Sequence, residues 1–200
     1  MKQIVVIIVI IGLLFVSLRA MAQSTNAVED AAHQELRAVR DGLIGAMNSG
    51  DVEKSLPFLH TNCVITWHNA EVSRGHAGVR DYHNRVMTGP TKLVDSFSCE
   101  IKVDELTILY GGDTGICFGS SKEHFKLTNG KTLDVAGRWS AVLVKENGRW
   151  WVANLHASTN LFDNVILRLA KNAAWWAGMV SLLLGAVTGF LIGRKFARVK

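Results

Sequence analysis

The stretch Glu146-Asn147-Gly148-Arg149-Trp150-Trp151-Val152-Ala153-Asn154-Leu155-His156-Ala157-Ser158 decides the fold. Its first three residues carry hairpin-turn chemistry, and the residues after them alternate with a period of two. Val152, Asn154, His156 and Ser158 share one face of a strand; Trp151, Ala153, Leu155 and Ala157 share the other. Upstream of the turn the pattern is mirrored. Arg138, Ser140 and Val142 alternate with Trp139, Ala141 and Leu143. Two long strands, Thr132 to Lys145 and Trp150 to Ser158, therefore pair as a hairpin.

Working outward, Thr128-Asn129-Gly130 joins this hairpin to a strand from Thr114 to Leu127. Gly111-Gly112-Asp113 marks the turn before that. Phe97, Cys99, Ile101 and Val103 alternate with Ser98, Glu100, Lys102 and Asp104 to give another strand. Before Pro90 the period changes. Val28, Ala32, Leu36, Val39, Leu43, Ala46 and Met47 recur near 3.6 residues, predicting a helix over 26–48 capped by Asn26. Asn48-Ser49-Gly50-Asp51 ends it, and Asp51 suits the cap of a short helix over 51–59. A strand over 63–67, a tight turn at His68-Asn69, a strand over 71–73 and a helix over 76–87 complete the pattern. Helices first and an antiparallel meander afterwards make an α+β domain with helices covering one face of a curved sheet.

Both ends of the chain read as membrane segments. Lys2, the apolar run Ile4 to Leu18 and the triplet Ala20-Met21-Ala22 have the form of a signal peptide, residues 1–22, cleaved after Ala22. An uncleaved signal anchor would give the same orientation. From Ala173 to Gly193 no side chain is charged. Twenty such residues at about 1.5 Å each match the roughly 30 Å hydrocarbon core of a bilayer. Arg194, Lys195, Arg198 and Lys200 follow in a tail over 194–200, the mark of a cytoplasmic end; Trp175 and Trp176 suit the opposite interface. This predicts a single-pass membrane protein with the 23–160 domain extracytoplasmic (periplasmic if Gram-negative) and 161–172 as an amphipathic connector. Ser181, Gly185, Gly189 and Gly193, in register with Ala173 and Ala177, lie on one helix face and suggest helix self-association.

Charge must be read by segment. The net charge is +5, but Lys2, Arg19 and the four tail cations account for six of the twenty-two basic residues. The remaining sixteen face all seventeen Asp and Glu, so the basic surplus is topology rather than a nucleic-acid surface. Cys63, Cys99 and Cys117 lie in apolar strands without CxxC spacing; buried thiols are expected, with one disulfide as the alternative. The histidines, among them His60, His68, His76, His83, His124 and His156, form no HxH, HxxxH or HExxH pattern, and no metal or cofactor is expected. Asp113, Glu123 and Asp134 read as solvated strand-edge residues.

Taken together, Met47-Asn48-Ser49-Gly50-Asp51, Arg74-Gly75-His76-Ala77-Gly78-Val79-Arg80-Asp81-Tyr82 and the 146–158 ending make the chain resemble the nuclear transport factor 2-like superfamily. The likeness is nearest to its SnoaL-like and ketosteroid-isomerase-like group. It implies a cone-shaped barrel, a curved and mainly antiparallel sheet wrapped around N-terminal helices, enclosing a pocket and commonly dimerised through the sheet's outer face. The isomerases' oxyanion-hole tyrosine and general-base aspartate fall on Leu43 and Trp67, which cannot do that proton chemistry. Both would instead line an apolar interior. The ending resembles the association domain of calcium/calmodulin-dependent kinase, with Asn154 and His156 where that domain has His-x-His.

If the polar strand faces turn inward, Arg138, Asn154 and His156 converge under the helices, with Tyr82 facing in from its helix. Such a cluster could bind a carboxylate or carbonyl ligand, or use His156 with Arg138 and Tyr82 in acid–base catalysis. It could equally just fix the sheet by hydrogen bonding. The leading expectation is a homodimeric, membrane-anchored module that binds a small hydrophobic ligand through Leu43, Trp67, Tyr82, Arg138, Asn154 and His156, or serves as an interaction module. A SnoaL-like isomerase, cyclase or hydratase is the alternative.

Overall fold

The computed structural model describes residues 29–197. The signal peptide expected over 1–22, the Asn26 cap and tail residues 198–200 lie outside the described residues. Helix α1 spans 29–48 and ends where the sequence places the stop. There Asn48 ties it to the sheet: its Nδ2 donates to the Cys99 carbonyl at 3.0 Å and its Oδ1 accepts from the Cys99 amide at 2.7 Å. Asp51 then caps α2 (Val52–Ser55), its Oδ1 accepting from the Glu53 amide at 3.0 Å.

Helix α2 is shorter than expected. Leu56–Phe58 is a 3-10 turn with a proline in its first turn, and β1 (Leu59–Thr66) starts at once, four residues before Cys63. Pro57 has no amide hydrogen to continue a helix, and Leu59, Cys63 and Ile65 must reach the core. After β2 (Val72–Arg74) comes α3 (Gly75–His83), extended by a wider π turn at Asn84–Thr88. The strands β3 (Val94–Val103), β4 (Ile108–Tyr110), β5 (Thr114–Leu127), β6 (Thr132–Glu146) and β7 (Arg149–Thr159) follow. Three-residue β4 is too short to leave a periodic signal in the sequence.

The sheet order is β2-β1-β7-β6-β5-β3, with β4 also on β5. All pairings are antiparallel except β1 with β7. The β6–β7 hairpin closes as its turn residues predict. Asn147 at φ 53° and Gly148 at φ 76° both take left-handed conformations, as a two-residue turn matching strand twist requires. The concave side packs on α1 and α3. Its core holds Leu36, Leu59, Cys63, Ile65, Val79, Ala141, Leu143, Trp150 and Val152. The fold is therefore a curved-sheet α+β architecture, the one that the resemblance to the nuclear transport factor 2-like superfamily implies.

Beyond Thr159 the chain makes a short turn held by Asn160, whose Oδ1 accepts from the Phe162 amide at 2.9 Å. It then enters α4 (Val165–Ala197), 33 residues or about 50 Å of helix. Most of the expected connector is thus helical and continuous with the apolar segment. Val165–Arg194 is the one helix among the described residues long and apolar enough to cross a membrane, and none of it is buried against the domain. Open space surrounds Gly185, Gly189 and Gly193 on its surface.

Candidate functional site

Between the helices and the concave sheet lies a cavity of about 530 Å³. Its walls follow from strand alternation. Trp139, Ala141 and Leu143 of β6 all point into it, as the odd-numbered face must. On β7 the alternation breaks. Leu143 pairs with Val152 but Val142 pairs with Asn154, so Ala153 is the extra residue of a bulge. Val152, Leu155 and Ala157 consequently line the same cavity although their numbers differ in parity.

This bulge decides where the expected site residues go. Leu43, Trp67 and Tyr82 line the cavity. Arg138, Asn154 and His156 do not, because the faces turned inward are the apolar ones. Arg138 is exposed and donates to Asp104 at 2.5 Å, Asn154 Nδ2 donates to the Val64 carbonyl at 3.0 Å, and His156 is exposed. The convergence of Arg138, Asn154 and His156 under the helices, conditional on the polar faces turning inward, is corrected accordingly. Burying a guanidinium there without its own partner would cost several kcal/mol, of order 3–5 by the behaviour of broken buried pairs, whereas the opposite face buries cleanly.

Trp67 and Tyr82 form one wall. Their rings stack at 4.2 Å with an interplanar angle of 2°, and Trp67 Nε1 donates to Ser73 Oγ at 2.8 Å. Arg85 lies 5.5 Å from the Tyr82 ring centroid and clamps Glu71 through two hydrogen bonds. Burial pushes the Tyr82 phenol above its ordinary range, and the Glu71 and Glu123 carboxylates push the same way against Arg85. Tyr82 is thus a neutral hydroxyl at physiological pH.

Two residues outside the expected site, His68 and Glu123, add polar groups to the cavity wall. Glu123, expected as a solvated edge residue, has a side chain only 10% exposed. It accepts from Ser121 Oγ at 2.7 Å and meets His68 Nε2 at 2.8 Å. His68 Nδ1 is buried with no hydrogen-bond partner. The sequence does hold a signal for Glu123: Cys117, Ser121, Glu123 and Phe125 share one face of β5, and all four line the cavity. It holds none for His68, since a histidine in a tight turn normally faces water.

Pairing places these two residues along the sheet. Thr66 pairs with His156, Ser121 with Gly137, and Gly137 with Thr159. His68 and Glu123 therefore sit at the level where β7 ends, close in the chain to the start of α4. The thiols add no reactive group. Cys63, Cys99 and Cys117 are free, and burial raises all three, Cys99 and Cys117 to about 11, so they stay protonated at neutral pH. No group of three or more His, Cys, Asp or Glu among the described residues could hold a metal ion.

Comparison with known proteins agrees with the fold. The chain resembles hexachlorocyclohexane dehydrochlorinase LinA-type3 from Novosphingobium barchaimii LL02 at TM-score 0.60 and 13% identity, over 70% of this chain and 94% of that one. A ketosteroid isomerase-like protein from Erwinia carotovora atroseptica SCRI1043 matches at TM-score 0.56 and 15% identity, over 63% and 94%. An assigned calcium/calmodulin dependent protein kinase II association domain from Xanthomonas campestris matches at TM-score 0.51 and 21% identity, over 64% and 86%. These likenesses carry fold rather than chemistry. No curated protein matches the chain. The family model of the calcium/calmodulin dependent protein kinase II association domain matches residues 32–161, nearly the whole domain, and the chain belongs to that family.

Proposed function

We propose that this protein is a membrane-anchored module that holds a small, mainly apolar ligand in the cavity between α1, α3 and the sheet. The observation that carries the reading is the cavity itself: about 530 Å³, walled largely by apolar side chains such as Leu43, Trp67, Trp139, Leu143 and Leu155, with a minority of polar groups among them. Pockets of this size and lining bind small molecules by burying apolar surface, with a few polar groups setting orientation. Helix α4 anchors the domain. The basic residues after Ile192 favour a cytoplasmic C-terminus, which puts the domain on the extracytoplasmic side. Membership of an association-domain family supports assembly, and we place a second copy against the outer face of the sheet, where Arg138 and His156 project. A two-copy membrane protein gains further from the small-residue face Ser181, Gly185, Gly189 and Gly193, since each contact raises the effective concentration for the other. His156, the expected acid–base group, lies outside the cavity, so the isomerase, cyclase or hydratase alternative would have to draw on the His68–Glu123 pair instead.

Filling the cavity tests the reading. In the full chain reconstituted into lipid nanodiscs, 2-methoxynaphthalene is expected to bind saturably above the level of empty nanodiscs. Leu43→Trp adds an indole in place of an isobutyl group at the wall and is expected to weaken binding at least tenfold. Its thermal midpoint should fall by an amount corresponding to about 1–3 kcal/mol of overpacking. Partition identical to empty nanodiscs, from protein that is folded by circular dichroism, would sink the proposal.

A further inference from the structure

We infer that the tip of the β5–β6 hairpin, with Leu93 and the Leu161–Phe162 turn, is a second membrane contact that seats the domain on anionic lipid headgroups. The inference rests on the anchoring part of the proposed function and is independent of what the cavity holds. Strand direction sets which end of the domain faces lipid. β5 and β7 run the same way, since each is antiparallel to β6. β7 stops at Thr159, and α4 begins at Val165 after the short turn over 160–164. The helix touches the domain at β6, with Asn164, Val165 and Leu167 half-buried. From Arg168 to Arg194 every side chain is exposed, so the helix leaves the sheet there rather than doubling back over it.

Strand register shows what else lies at this end. Thr159 pairs with Gly137, and Gly137 with Ser121. β5 runs on from Ser121 to Leu127 and β6 enters at Thr132, so the hairpin continues past the row where β7 stops by about 20 Å of strand. The gap to be spanned is smaller. Val165 stands about 12 Å of helix from Ala173, where the uncharged span begins, and headgroups fill about 5–8 Å of it. Leu93 is tied to the tip: the Thr128 amide donates to its carbonyl at 3.1 Å.

The side chains here suit the headgroup layer. Leu93, Leu161 and Phe162 are 65%, 76% and 84% exposed, and apolar side chains of this size gain by entering the acyl boundary. Lys126 and Lys131 flank the Thr128-Asn129-Gly130 tip, and Lys171 stands on α4. Lys92 is engaged by Asp95 at 2.8 Å, Arg168 by Asp163 at 3.1 Å, and Asp134 faces His124 at 2.7 Å. Lys126, Lys131 and Lys171 enter no ion pair among the described residues, which leaves three ammonium groups for lipid phosphates. The domain as a whole carries a slight acidic excess, so this surplus of cations is local. Phe97 and Phe125, 5.0 Å apart on the strands leading to the tip, line the cavity, and the contact holds that part of the cavity toward the bilayer.

Fluorescence quenching in the full chain tests the contact. Cys63 and Cys99 are buried and Cys117 half-buried, so an added surface cysteine takes a nitrobenzoxadiazole label. The nanodiscs hold phosphatidylglycerol, phosphatidylcholine and a headgroup-nitroxide lipid. A label on Asn129→Cys is expected to be quenched at least threefold more than one on Gly112→Cys, at the opposite end of β5. Nearness to α4 alone is insensitive to lipid charge. The excess should therefore fall by half or more in phosphatidylcholine alone, or when Lys126→Glu and Lys131→Glu are combined. Equal quenching at 129 and 112, or an excess indifferent to both changes, would overturn the inference. A label at 129 shielded from both the nitroxide and aqueous iodide would place protein there and overturn it too. A label on Leu184→Cys that escapes an acyl-chain nitroxide would instead remove the anchoring reading beneath it.

Discussion

Gly119→Ala is expected to cost the domain about 3 kcal/mol or more, a fall in the thermal midpoint on the order of 6–12 °C. Gly119 sits in β5 between Val103 of β3 and Trp139 of β6. A methyl group built there would drive into the Lys102 carbonyl oxygen and lie 2.9 Å from both the Lys102 carbonyl carbon and Trp139 Cζ2. Two of these atoms are backbone of a paired strand, so relief means moving β3. The third belongs to a ring that lines the cavity, so the same substitution disturbs the site wall. Gly45→Ala is the matched control. Nothing lies within 4 Å of a methyl group at Gly45, which is exposed within α1. It should stabilise by about 0.5–1 kcal/mol, the ordinary helix preference for alanine over glycine. Differential scanning fluorimetry of both variants checks the pair.

Ending the chain at Asn164 is expected to move the protein from the membrane pellet to the supernatant after alkaline carbonate extraction. The α4 segment exposes Leu182, Leu183, Leu184, Phe190, Leu191 and Ile192 along its length, each more than half exposed. No soluble surface carries such a helix unpartnered, since every exposed leucine-sized side chain forgoes about 1.5–3 kcal/mol of burial. On the membrane-anchor reading a bilayer supplies the missing burial. The truncated chain also separates two readings of the N-terminus. Cleavage after Ala22 leaves it soluble and lighter by the signal peptide, whereas an uncleaved apolar run from Ile4 to Leu18 would keep it in the pellet.

How far the sequence discloses this molecule depends on which rule governs each part. Period-two alternation with Asn147-Gly148 at the turn suffices for β6 and β7, because a strand half-buried on one face has little other way to be written. The Asn48-Ser49-Gly50-Asp51 hinge is legible as a stop and a cap, though not that Asn48 would bond both backbone groups of Cys99. The superfamily resemblance turns Leu43 and Trp67 inward and helix position does the same for Tyr82; all three line the cavity, and so does the neighbouring His83. Arg138, Asn154 and His156 show the limit. Strand alternation says which residues share a face and is silent on which face turns in. It also assumes an unbroken strand, and the bulge at Ala153 shifts the parity of β7 for no visible local reason. His68 and Glu123 are 55 residues apart and meet only through pairing across the sheet, so no spacing announces them.

The proposed function requires the cavity to be occupied, and occupancy can be weighed. Native mass spectrometry of the full chain, released directly from nanodiscs made with its own membrane lipids, reads it protomer by protomer. An assembly is expected in which each protomer carries one small, mainly apolar molecule, lost from Leu43→Trp. A bare protomer mass in the native chain, unchanged after equilibration with 2-methoxynaphthalene, would mean that the cavity holds nothing and that the ligand-binding function is wrong.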